Sequence, residues 1–196
     1  MTQNGLIDPH GGKLVNLLVD SERSALLKDI ALNLPDITLN ERQLCHFELL
    51  ATGAFSPLQG FMKRIDYESV LDRMRLQSGD LWPLPICLDV PELKAQTLEV
   101  GQSVTIRDPE GFMLGVLHVE DIWPIEKEKE AASVYGTSDP THPGVSYLFN
   151  KSGDYYIGGD LEAVSLPLHF DFRKLRQPPE DIRQAIHKLD WQRVVG

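Results

Sequence analysis

The sequence predicts an α+β fold in which helices come first, a small barrel-like set of short strands follows, and a linker and helix close the chain. Three observations carry that prediction. Residues 20–79 hold three runs of helical apolar periodicity. From Trp82 the texture changes to short β-rich runs punctuated by turn residues. Near "SLPLHFDFRKLRQPP" periodicity stops at two proline sites, and a last helical run follows.

Taken in order, "VDSERSALLKDIALN" offers Asp20 or Ser21 as N-cap and Leu26, Leu27, Ile30 and Ala31 as an apolar face. In "TLNERQLCHFELLATG", Thr38 and Glu41 are spaced as a capping box, and Gly53 stands where a left-handed stop belongs. "DYESVLDRMRLQSG" repeats the grammar, with Asp66 as cap, Tyr67, Val70, Leu71 and Met74 on one face, and Gly79 as stop. Between them "GAFSPLQGF" reads as a packed corner. Phe55, Leu58 and Phe61 point inward there, and Gly60 lets another backbone pass close.

"PICLDV" is a short strand run, and "SVTIRDPEGFMLGVLHVEDIW" is a hairpin turning at Asp108–Gly111. "EKEKEAASVYG" is a charged helix with a solvated acidic face, ending at Gly136, and "TSDPTHPGVS" is a rigid loop. "DYYIGGDLEAVSLP" supplies two short strands, and "RQPPEDIRQAIHKLDW" a helix with Ile182, Ala185, Ile186 and Leu189 on its apolar face. The terminal "RVVG" reads as the first residues of a buried strand.

The chain has 196 residues, 42% of them hydrophobic, which is enough for a core without staples. Its net charge of −10 disfavours a polyanion as main partner, because phosphate contacts need clustered cations. Cys45 and Cys87 lack metal or redox spacing and read as reduced core residues. No signal peptide or apolar run of about 20 residues is present, so a cytoplasmic location is expected.

Chemistry is hard to find. Lys151-Ser152 lacks the glycines of a phosphate-binding loop, and no GxGxxG or GxSxG occurs. No two of His10, His46, His118, His142, His169 and His187 stand at the i, i+4 spacing of a helical metal pair. His142, between two prolines, and His10, beside Gly11-Gly12, sit in loops suited to ligand contact or simply to turning the chain. No catalytic residue and no metal ligand is assigned.

The segments "HGGKLVN", "RQLCHFELLATGAFSPLQGFM", "GDLWPLPICLDV", "VYGTSDPTHPGV" and "GGDLEAV" together resemble, in order, the N-terminal region of the sulfate adenylyltransferase (ATP sulfurylase) family. The resemblance implies a PUA-like domain with a small mixed β-barrel over residues 1–168. Residues 169–196 would then be a linker, a helix and a first strand leading into an absent α/β nucleotidyltransferase domain. It implies an accessory role in an enzyme that forms adenosine 5′-phosphosulfate and pyrophosphate from ATP and sulfate with magnesium. The family's catalytic glutamine, arginine, asparagine and histidine run has no counterpart here, so the chain is expected to be inactive alone and to carry no cofactor itself. The expected partner is the catalytic domain of the same polypeptide, with homo-oligomerisation open and no nucleic-acid or membrane partner. His46 stands where relatives often carry aspartate, on a helix surface. Loop character alone selects His10, Gly11, His142 and Gly144 as candidates for a wall of the substrate cleft. The alternative is an RNA-binding PUA-like module, for which "FRKLRQ" at 172–177 is the one local basic cluster.

Overall fold

A computed structural model describes residues 6–191, 193 and 194. Among them the order is α1 (Ser21–Ala31), β1 (Asp36–Thr38), α2 (Glu41–Ala51), β2 (Gly60–Phe61), α3 (Arg64–Arg73), β3 (Leu88–Val90) and α4 (Glu92–Ala95). There follow β4 (Ser103–Arg107), β5 (Met113–Pro124), α5 (Lys127–Tyr135), α6 (Pro143–Asn150), β6 (Tyr155–Ala163) and α7 (Pro179–Lys188). The sheet is mixed, ordered β1-β4-β5-β6-β2, with β3 also paired to β6. β1 runs parallel to β4, whereas β2 and β3 are antiparallel to β6. Helices with a mixed sheet match the α+β expectation. The chain packs as two compact units, one of Met1–Gln59, Thr105–Val116 and Glu162–Gly196, the other of Gly60–Val104 and Leu117–Leu161.

In the first unit, Asp20 caps α1 by accepting from Arg23 N (2.8 Å). Ser24, Leu27 and Ala31 are buried, while Leu26 and Ile30 of the expected face stay exposed. The expected Thr38–Glu41 capping box is replaced by a reciprocal Asn40–Gln43 box, each bond 3.0 Å. The reason is that Thr38 is committed to the β1 ladder opposite Arg107, and Leu39 N donates to Arg107 O, so the helix cannot begin earlier. Cys45 is exposed on α2 rather than in the core, whereas Cys87 of the second unit is buried; neither is joined in a disulfide.

The corner after α2 forms as expected. Gly53 has φ +83°, and a Cβ there would lie 2.5 Å from Val15 O. Ser56 is buried, accepting from Val15 N (2.8 Å) and donating to Gly53 O (2.6 Å).

In the second unit, α3 begins after Lys63 with no side-chain cap of its own. Asp66 does not cap it; its carboxylate accepts from Gln77 N (2.8 Å), and Asp121 on β5 accepts from Arg64 N (3.0 Å). The helix stops at Met74, which is left-handed (φ 52°) and exposed, ahead of Gly79. The "YYIGGDLEA" run is one strand, not two. Gly158 and Gly159 lie within it because Met62 O and His118 O occupy the places their Cβ atoms would take. The expected loop at "THPGVS" winds instead into α6, with Pro143 at its first position. The expected terminal strand falls partly outside the described residues, and Arg193 and Val194 are not in a strand.

The acidic face of α5 is not wholly solvated. Glu130 is only 6% exposed. Its carboxylate accepts from the Tyr67 hydroxyl (2.9 Å) and, through both oxygens, from the Tyr156 hydroxyl (3.1 Å each). Tyr67, Tyr156 and Trp123 pack around it with ring centroids 5.4–5.8 Å apart. Spacing along α5 could not reveal this, because the partners come from α3 and β6.

Burial first, and the Glu130 charge second, push both tyrosine hydroxyls well above the ordinary range. The unfolded chain therefore loses these protons first. Stability is full below about pH 10 and falls above it, by about 1.4 kcal/mol per pH unit for each tyrosine. Urea titrations across that range should show the fall, and Tyr67→Phe should remove one tyrosine's share of the slope. At neutral pH the same variant should cost about 1–2 kcal/mol, because Glu130 loses a donor.

Candidate binding site

The four candidate residues fall in separate units, and each pair has a distinct environment. His10, Gly11 and Gly12 form one turn of 3-10 helix after Pro9, closed by Gly12 N donating to Pro9 O (2.8 Å). Gly11 is required twice over: its φ is +70°, and a Cβ would lie 2.6 Å from Pro57 Cβ. With Gly11 seated on Pro57, the His10 imidazole remains exposed at the mouth of a hollow.

That hollow has a volume of about 400 Å³ and is lined by Pro9, His10, Leu14, Gly53, Ala54 and Ser56 on one side and by Pro179, Ile182, Arg183 and Ile186 of α7 on the other. Its lining is mostly apolar, with His10 and Arg183 as its ionisable groups. Arg183 Nη2 donates to Ile7 O (2.6 Å), which pins α7 to the N-terminal segment. The Ser56 hydroxyl is already engaged on both sides. The arrangement can accept an apolar body bearing an anionic group. Among the described residues that line it there is no nucleophile beside a base and no carboxylate for acid–base work.

A second hollow of about 430 Å³ lies beside the first, between Glu48, Leu49 and Thr52 of the α2 end and Leu166, Leu175 and Pro178 of the closing segment. There His169 Nε2 meets the Glu48 carboxylate at 2.8 Å and ties that segment to α2.

In the second unit, His142 is the residue before α6 and makes no side-chain cap bond. Its ring lies on Tyr135, centroids 4.9 Å apart, and its Nδ1 is buried without a hydrogen-bond partner among the described residues. Gly144 is small for a packing reason: a Cβ would lie 2.6 Å from the Tyr135 ring. The preceding turn is set by Asp139, which accepts from Thr141 N (2.9 Å); that bond holds its carboxyl below the usual range. A shallow polar trough of about 750 Å³ in the same unit is lined by Glu68, Asp72, Arg73, Gln77, Lys129 and Ser133.

Sequence reading missed Arg183 and the Glu48–His169 pair. Each joins residues more than 100 positions apart, and the helical period that found α7 gives no sign of what its polar side reaches. Among the described residues no group of three or more His, Cys, Asp or Glu is placed to hold a metal ion. No described helix is long and apolar enough to cross a membrane.

The family model of the PUA-like domain matches residues 7–166. Sulfate adenylyltransferase of Mycosarcoma maydis is 44% identical over 192 residues, covering 96% of this chain and 33% of that protein. The Gibberella zeae enzyme of the same name gives the same figures, and that of Kluyveromyces lactis is 40% identical with 38% of its length covered. The chain thus spans about a third of the length of these relatives. Among solved structures, one titled a hexameric APS kinase from Thiobacillus denitrificans matches with a TM-score of 0.76 and 33% identity, covering 95% of this chain and 32% of that one.

The turn predicts a clear contrast between two substitutions. Gly11→Ala should cost about 1–3 kcal/mol, from strain and the Pro57 clash. Exposed His10→Ala should stay within about 0.5 kcal/mol. Urea unfolding of the two variants side by side checks the pair.

Proposed function

The chain belongs to the PUA-like domain family, and on that premise we propose that it is the N-terminal accessory domain of a sulfate adenylyltransferase. The enzyme so named would form adenosine 5′-phosphosulfate and pyrophosphate from ATP and sulfate. One observation carries the reading: the similarity runs through 96% of this chain yet through only 33% of the relative. A stretch that is alike over nearly its whole length to a third of a longer protein reads as one module of a larger machine.

In this reading residues 1–168 form the PUA-like module, and residues 169–196 are the linker and helix that join it to a nucleotidyltransferase domain in the same cytoplasmic polypeptide. Magnesium, ATP and sulfate are handled by that second domain, and no chemical step is assigned to residues of this chain. Its contribution is packing, subunit contact and one wall of the cleft. His10 and Gly11, beside the α7 hollow, and His142 and Gly144, at the start of α6, are the residues proposed for that wall. The exposed imidazole of His10, which lines the same hollow as Arg183, supports a role in meeting an anionic ligand. The hexameric title of the structural relative supports homo-oligomerisation of the parent enzyme.

Pyrophosphate release from ATP on adding sulfate and magnesium tests the proposal. The 196-residue chain should give none, and the polypeptide extended through the nucleotidyltransferase domain should turn over. Turnover by the short chain, or none by the extended one, would overturn it. In the extended chain, His10→Ala and His142→Ala should raise KM for ATP or sulfate by about threefold to tenfold, if each loses one polar contact.

A further inference from the structure

Beyond the last residue matched by the family model, the chain changes character. From Leu168 onward no described residue is buried, although the segment is rich in large apolar side chains. Leu168 is 70% exposed, Phe170 90%, Phe172 71% and Leu175 78%, and Leu189 and Trp191 follow at 56% and 54%. Isolated exposed hydrophobics are ordinary, but a concentration of this kind in one segment marks an interaction surface. The segment is nonetheless held in place. The Glu48–His169 pair fixes its start, and Arg183 on Ile7 O fixes α7. The two apolar hollows flanking Ile182, of about 430 and 400 Å³, leave room under the same helix for side chains from outside.

We propose that Leu168, Phe170, Phe172, Leu175 and the outer face of α7 form the docking surface for the nucleotidyltransferase domain of the same polypeptide; this rests on the reading given above. The length of the relatives argues for that occupant. They carry about twice as much polypeptide again outside the shared part. A covalently joined partner is present at an effective concentration on the order of millimolar, which a free second copy does not reach. Charge sets the chemistry of its rim. Arg173 and Lys174 stand exposed between Phe172 and Leu175, in a chain whose net charge is −10, so the partner offers an apolar face edged with carboxylates. RNA is disfavoured by that net charge and by the engagement of Arg176 with Asp171 (3.2 Å).

Amide hydrogen exchange tests the surface. The 196-residue chain and the extended polypeptide are compared over residues 168–176 and α7, with pyrophosphate release measured on the same samples. Exchange in the extended polypeptide should be slower by about tenfold or more at every protein concentration. The variant Phe170→Ser/Phe172→Ser/Leu175→Ser should lose that protection, while leaving the unfolding midpoint of the short chain unchanged. Equal exchange in both lengths would overturn the docking surface, even with full turnover. Protection that grows with concentration in the short chain would overturn it in favour of a second copy. Protection without pyrophosphate release would uphold the surface and sink only the functional reading.

Discussion

The buried Ser56 hydroxyl is the joint on which the first unit is built. It accepts from Val15 N and donates to Gly53 O, so one side chain satisfies both strands of backbone that meet at the end of α2. Neither group could be left dry and unpaired without a cost of about 1–3 kcal/mol. Gly53 supplies the left-handed step that lets Val15 pass, and Pro57, next along the chain, receives the bare face of Gly11. The His10 turn, the floor of the adjoining hollow and the seat of α7 all follow from that corner.

The second unit solves a different problem, which is how to bury a carboxylate. Two tyrosines from α3 and β6 place their hydroxyls on Glu130, and Trp123 closes the ring around them. An unpartnered carboxylate in that position would be strongly unfavourable. With partners it orients α5, whose next residue, Ala131, shares a small core with Val145 and Leu148 of α6. The same α5–α6 pair carries Tyr135, and Tyr135 in turn dictates the glycine at 144 and the resting place of the His142 ring.

Both arrangements spend polar side chains on holding the fold together. Ser56, Glu48, Asp121 and Asp66, the last read from the sequence as a helix cap, are each engaged in holding one segment to another. Exposed side chains of the loops and of the closing segment are what remain for recognition.

Sequence alone determined the helices α1, α2, α3, α5 and α7, the corner at 53–61 and the family, because helical period, left-handed glycines and motif order are local properties of the chain. Tertiary structure decided what locality cannot encode. Thr38 lost its capping role to Asn40 because β4 claimed it, and Gly158-Gly159 stayed within one strand because His118 O and Met62 O needed the space. Glu130 went inside because two hydroxyls from distant elements were waiting for it. Arg183 came to line the hollow beside His10 only because folding closed a separation of more than 170 residues. Each of these outcomes turns on a partner far along the chain, and periodicity carries no record of partners.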